Sequence, residues 1–339
     1  MSVFRPEHKP LDQIFAAGSN YRIPAYQRPY SWESRGRSDR DSQVNRMWED
    51  LWDFFQENRE STKEYFLGSM VIIEDPKEIR TFDVIDGQQR LTTLLLLFGA
   101  MRCFLDIHKK NGSHELQVWC EDAIRTLDAL LYNKKGIGLT PTLKLKLQRK
   151  IGTDYNNVLE QCVKCDGVEK VGELPEKSQI VAERYFNNRD YLMKEIVRQF
   201  ITDGVMDTES QINFDLFFRF LVQRVAIVLI TTTDFSTAFR VFEILNNRGL
   251  PLSNLDLLRN FALEEFATAG FSDGEMRWEK LESDYDLPEE FVGRFAESKV
   301  AANLRGSAFN ELQGLYVRVD SEYKKTASKM KIEHFMADL

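Results

Sequence analysis

Histidine, cysteine and long apolar runs are all scarce in this sequence, and each scarcity removes a class of chemistry. The four histidines, His8, His108, His114 and His334, are scattered through 339 residues. No H-x-x-H or H-N-H pattern occurs, so a histidine–metal nuclease within these residues is not expected. The four cysteines include one C-x-x-C, Cys162 and Cys165, with no second pair to complete a zinc site. These two read as free thiols. The longest apolar run, Leu94 to Met101, falls well short of the ~18 residues that span a bilayer. Residues 1–10 carry no apolar core of the kind that secretion needs. The expectation is a cytoplasmic protein with no membrane partner.

A basic excess is also missing. The formal net charge is -8, whereas a non-specific DNA binder draws its affinity from neutralising phosphates. The charge is segregated, however. Asn133 to Lys150 holds Lys134, Lys135, Lys144, Lys146, Arg149 and Lys150 and no acid. Arg28 to Arg46 holds five arginines against three acids, while Glu264 to Glu297 is strongly acidic. Such runs serve equally well as solvated faces. If DNA is bound, the two basic runs are where contact is expected.

The periodicity predicts an α+β fold. Tyr21 to Pro24 is a short extended piece. Met47 to Gln56 is a helix with Met47, Leu51, Phe54 and Phe55 on one face. Phe66 to Ile73 and Thr81 to Ile85 are buried strands, Asp86-Gly87 is a turn, and Leu91 to Leu105 is a helix apolar nearly all round. A mainly helical region follows, with helices over Glu115 to Leu131 and Lys177 to Phe200. Two strand-like stretches, Thr142 to Gln148 and Arg224 to Thr233, interrupt it. Asp234 caps a helix over Phe235 to Leu245, Gly249 stops it, and Ser253 to Asp256 is a capping box. Asp203 to Ser210 and Cys165 to Ser178 read as surface loops. The expected division is a small mixed-sheet core over 1–106 and a helical region over 107–339.

Three segments carry chemistry-bearing residues. In Asp86-Gly87-Gln88-Gln89-Arg90-Leu91-Thr92-Thr93, a strand hands over to a helix, which gathers free backbone N–H groups and the positive end of the helix dipole. Gly87 allows a tight turn and close approach of a phosphate. Arg90 offers a planar fork to phosphate oxygens. Thr92 and Thr93 offer hydroxyls, and Asp86 suits Mg²⁺ or an attacking water. A polar β-turn with Arg90 paired to Asp86 explains the same residues. No Walker A loop is present. In Tyr26-Gln27-Arg28-Pro29-Tyr30-Ser31-Trp32, aromatics interleave with polar groups, which suits stacking on a base or plugging a core. Leu245-Asn246-Asn247-Arg248-Gly249 places amides and an arginine at a helix end, where an ordinary C-cap also belongs. Phe66-Leu67-Gly68-Ser69 is mute by itself.

Together, and in this order, these four segments resemble the N-terminal domain of GmrSD-type modification-dependent restriction enzymes, and are similar to the SspE-like, phosphorothioate-linked defence proteins. The resemblance covers about residues 11–265. It implies a ParB/sulfiredoxin-like core, binding and hydrolysis of a nucleoside triphosphate (GTP, ATP or a pyrimidine nucleotide) with Mg²⁺, and a role in anti-phage restriction of modified DNA. Asp86, Gln88, Gln89 and Arg90 are then the expected catalytic residues, with Asp86 holding the metal. Gln27, Arg28, Gly68, Ser69, Gly87, Thr92, Thr93, Asn246 and Arg248 are expected to bind nucleotide. Tyr26, Tyr30, Trp32, Arg35, Arg37 and Arg40 are expected to meet DNA or its modification.

Two departures matter. The histidine–metal nuclease domain of full-length relatives is not visible by Leu339, since Ile332-Glu333-His334-Phe335 lacks a flanking proline and downstream asparagines. A fragment, a subunit working with a separate nuclease, or a branch without one would each account for this, and a homo-oligomer is left open. Residues Glu33 to Met47 read as an inserted loop beside the site. The alternative function is a non-catalytic nucleotide- or DNA-binding adaptor. DNA nicking by this domain ranks last, because no paired-carboxylate metal cluster is seen.

Overall fold

The computed structural model describes residues 4–24, 27, 29–34, 42–134, 138–147, 152–164, 176–233, 237–238 and 241–242. The chain separates into two compact units: Met1–Pro24 with Pro29–Arg240, and Ala25–Arg28 with Val241–Leu339. The elements all belong to the first unit. They are β1 (Phe4–Pro10), α1 (Leu11–Ile14), β2 (Asn20–Ile23), α2 (Gln43–Glu57), β3 (Tyr65–Glu74), β4 (Thr81–Asp86), α3 (Gln88–Asn111), α4 (His114–Leu131), β5 (Tyr132–Asn133), β6 (Thr142–Leu143), β7 (Leu145–Leu147), α5 (Gly152–Lys164), α6 (Glu176–Phe200), α7 (Thr208–Arg224) and β8 (Val225–Thr232).

The fold is α+β, as the periodicity indicates. Six strands form one mixed sheet in the order β1-β8-β3-β4-β2-β7. β8 runs antiparallel to β1 and parallel to β3, β3 runs antiparallel to β4, and β2 lies parallel to both β4 and β7. The sheet therefore draws strands from both sides of residue 106, and β8 arrives last in the chain to fill an interior position. Its register is set by burial: Val225, Ala226, Ile227, Leu229 and Ile230 are all covered, as an interior strand requires.

α3 is the central helix. Leu94 to Phe98 and Ala100 to Met101 are fully buried, and the helix packs against α4, α5 and α6. By length and composition Gln88–Lys110 could cross a membrane, but 78% of its most apolar window is buried inside the protein. A second, aromatic cluster joins α2 to α6 and α7. Trp48 and Trp52 stack at 5.9 Å, and Phe55, Phe200 and Phe217 meet them or one another edge-on or tilted.

Some expectations shift. The strand expected over Thr142 to Gln148 is interrupted at Lys144: Leu143 pairs with β5, whereas β7 joins β2. Lys144, counted above in a basic run for DNA, is completely buried. Its Nζ donates to the carbonyls of Phe15 (2.6 Å) and Ala129 (2.5 Å), so it is committed to the interior. Of the loop expected over Asp203 to Ser210, the last three residues already belong to α7. Asp207 caps that helix by accepting from the Ser210 amide at 2.7 Å. Cys120 and Cys162 are free and buried, but Cys103 is disulfide-bonded, a pairing the spacing did not indicate. The stop at Gly249, the capping box from Ser253 and the loop through 165–175 lie outside the described residues, as does most of the helix expected over Phe235 to Leu245.

Candidate functional site

The segment from Asp86 to Thr93 lies where β4 ends and α3 begins. β4 is held on one side by β3, with a register shift between Val71 and Ile72 that leaves Ile85 as the extra residue. That shift re-aims the strand end, as a bulge does. Gly87 takes φ 93°, ψ 4°, in the left-handed region, and is the N-cap of α3. No side chain caps the helix through this residue, and no acid stands in its first turn. The amide end of a long, buried helix thus carries its positive partial charge beside the Asp86 carboxylate, which precedes the N-cap.

Gly87 is needed for a reason other than access. A Cβ there would meet the Met70 side chain at 3.0 Å, so the missing side chain lets the turn pack on β3. Gly68 does the complementary task. It lies in β3 at φ 128°, beside a second register shift against β8. A Cβ on Gly68 would fall 1.8 Å from Arg90 Nη1, so the Arg90 guanidinium lies over the bare backbone of Gly68. Its contacts there are long. Nη1 reaches the Leu67 carbonyl at 3.4 Å, and Nη2 reaches Asp86 Oδ2 at 3.5 Å. Both side chains keep about a fifth of their surface open, 23% for Arg90 and 18% for Asp86. Ser69 follows on β3 and is half-buried. The arrangement can present a planar cation and helix amides to an anion.

The neighbouring polar residues have different employment. Gln89 behaves as a surrogate strand for the loop over residues 29–32. Its Oε1 accepts from the amides of Ser31 (2.9 Å) and Trp32 (3.3 Å), and its Nε2 donates to the Pro29 carbonyl (3.2 Å). Thr93 Oγ1 donates to the Gln89 carbonyl at 2.8 Å. Its one proton being spent, it accepts from the Tyr30 hydroxyl at 2.8 Å. Tyr30 in turn accepts from Asn188 Nδ2 at 3.0 Å, and the same amide group donates to the Trp32 carbonyl at 2.8 Å. The Tyr30 ring stacks on Tyr185, and burial pushes its hydroxyl pKa up. Arg184 closes the arrangement through Glu33 (2.9 Å).

This corrects several expectations. Tyr30 is 3% exposed, so its ring is not a surface for reading a DNA modification. Thr92 and Thr93 are buried, and the Thr93 hydroxyl is spent between the Gln89 carbonyl and the Tyr30 hydroxyl. Gln89 is occupied on both ends of its amide, and Gln88 is buried beside it. Trp32 is partly buried, packed against the core. Tyr26, Arg28, Arg35, Arg37, Arg40, Asn246 and Arg248 lie outside the described residues, and Gln27 belongs to the second unit. The structure brings together Asp86, Gly87, Arg90, Gly68 and Ser69.

The sequence reading missed Asn188, Tyr185 and Arg184, which hold the 29–34 loop from α6. A signal for Asn188 exists. Tyr185, Leu192 and Ile196 are buried at helical spacing, and Asn188 is the one amide in that stripe.

A search of curated proteins finds no match. The family model described as GmrSD restriction endonuclease, N-terminal domain, matches residues 11–263. That span contains the β3 glycine, the β4–α3 turn and the loop they support, and the chain belongs to this family of restriction-endonuclease N-terminal domains.

Proposed function

We propose that the Asp86–Arg90 turn binds the phosphates of a nucleoside triphosphate, and that its hydrolysis serves restriction of DNA by modification state. The observation that carries this is Arg90. Its guanidinium rests over the bare backbone of Gly68, beside a helix N-terminus with no side-chain cap, and its contacts to Leu67 and Asp86 are long, at 3.4 and 3.5 Å. A phosphate oxygen replaces both long contacts with short, charge-assisted ones. Asp86 is the carboxylate at the turn. Mg²⁺ is commonly held by one or two carboxylates together with phosphate oxygens and water, and Asp86 fits that mode. No group of three His, Cys, Asp or Glu side chains that could hold a metal alone occurs among the described residues. Bound with the nucleotide, Mg²⁺ would neutralise phosphate charge. Asp86 would hold it or a water, and Gly68 leaves room for Arg90.

One observation favours the adaptor reading. Gln89 is spent on the 29–32 loop, which removes one of the expected catalytic groups from the hydrolytic role. A hydrolysis screen over GTP, ATP and the pyrimidine nucleotides, with and without modified DNA, separates the two. Turnover by wild type that Arg90→Ala loses supports the enzyme. Tight binding without turnover, weakened thirty- to a hundredfold by Arg90→Ala (~2–3 kcal/mol), supports the adaptor. Unchanged binding in a folded Arg90→Ala protein removes Arg90 from the site.

A further inference from the structure

A second cluster of cations surrounds a cavity far from the turn. Arg102 lies twelve residues along α3 from Arg90, about 18 Å at the helical rise. With Asp128, Tyr132, Lys134, Pro141 and Lys164 it lines a space of about 340 Å³. Three cations face one carboxylate there. Arg102 spends only Nε on Asp128, at 2.7 Å, and its outer edge has no hydrogen-bond partner among the described residues. Lys164 pairs with Glu160 at 2.6 Å and sits 6.0 Å over the Tyr132 ring. Lys134 is exposed and has no ion pair among the described residues.

Helix ends explain only part of this. α5 ends at Lys164, and a cation is favourable there. Neither Arg102, in mid-helix, nor Lys134, beyond β5, answers to a helix terminus. The lining repels cations and offers an apolar ligand only Tyr132 and Pro141. Its volume exceeds that of a bare phosphate and falls at the lower end of small-ligand cavities.

We propose that the Arg102–Lys134–Lys164 cavity is a second phosphate site, taking a phosphate ester carried by a nucleic-acid backbone or by a free nucleotide. It stands independently of the Asp86–Arg90 reading. It also gives the basic run after Asn133 a defined seat, since Lys144 of that run faces the interior.

The test uses the full chain, with and without Arg90→Ala, so that any binding at the Asp86–Arg90 turn is told apart from binding here. Duplex DNA binding is read by fluorescence anisotropy, and ATP and inorganic phosphate binding by calorimetry. Lys134→Glu and Arg102→Gln are each added, Lys134 being exposed and without an ion pair among the described residues, so that the fold is undisturbed. A tenfold loss of DNA affinity, with a salt slope lower by about one, supports the site with DNA as the source. A tenfold loss of ATP affinity with DNA unaffected supports it with a free nucleotide as the source. If Lys134→Glu changes the binding of none of the three probes, or none binds, the cations serve only their ion pairs and helix ends and the proposal is overturned.

Discussion

Arg22 and Arg90 stand on the same sheet unit, each facing acid, and they are held in opposite ways. Arg22 leaves β2 to meet Asp83 through two nitrogens, at 2.7 and 3.1 Å, and Asp75 at 2.6 Å. Burial opposes its charge, but the bonds to Asp83 and Asp75 outweigh that and hold its pKa above the ordinary value. Asp75 is held below the usual carboxylate range by the Lys77 amide and by Arg22. Arg22 thus makes three short, charge-assisted bonds to two acids through Nε and Nη2. Arg90 has a single carboxylate at 3.5 Å and a carbonyl at 3.4 Å, over a glycine that clears its path. A satisfied arginine is a fastening. An arginine given space and left with long contacts is the one that the proposed function assigns to a ligand.

The comparison can be broken by filling the space. Gly68→Ala places a methyl where Arg90 Nη1 now lies, and nucleotide affinity should fall about a hundredfold, on the order of 3 kcal/mol. Calorimetry on the folded variant decides it, and unchanged affinity would mean that Arg90 does not act from this position. Arg22→Ala should do the reverse. Loss of its bonds to carboxylates should lower unfolding stability by about 2 kcal/mol while nucleotide affinity stays at the wild-type value, checked by denaturation and titration side by side. A shared loss of affinity would merge the two arginines into one class.

Smaller effects sharpen the picture around the loop. Tyr30→Phe removes the hydroxyl between Asn188 and Thr93, and should cost about 1 kcal/mol of stability. Discrimination between modified and plain DNA should survive, since the ring is inside. Lys144 provides a pH-dependent contrast. Burial, with Arg80 nearby, lowers its pKa to about 8 from 10.5, so between these values the unfolded chain binds a proton that the folded chain does not. Stability relative to Lys144→Met should rise with pH across that window, by at most about 1.4 kcal/mol per unit. It should be flat below pH 7. A difference that falls with pH would show that the two carbonyls hold the ammonium charged.

What was legible in the sequence was local. β4, the Asp86-Gly87 turn and the buried α3 could be read because strand period, turn residues and an apolar run follow one another directly. β1 could not, because Pro6, Pro10, His8 and three charged residues hide a strand that survives only at the sheet's edge. α7 was hidden by Phe214, Phe217, Phe218 and Phe220, which blur its amphipathic period. The roles of Gln89 and Thr93 depend on partners sixty residues back, and that of Gly68 on Arg90 twenty-two residues ahead. No local pattern encodes such pairings. The four-segment resemblance led to the right family, yet it could not tell which polar groups face outward and which are tied to the loop.

β8 has a consequence for how this protein is made. It fills the slot between β1 and β3, and it is the last described strand to leave the ribosome. Until Thr232 has emerged, β3 carries the bare edge against which Gly68 is shaped, and such edges invite pairing with other chains. The β4–α3 turn is thus assembled early in sequence but late in time. A nascent chain halted before residue 225 would present an adhesive sheet, and a site that is written in full cannot yet be built.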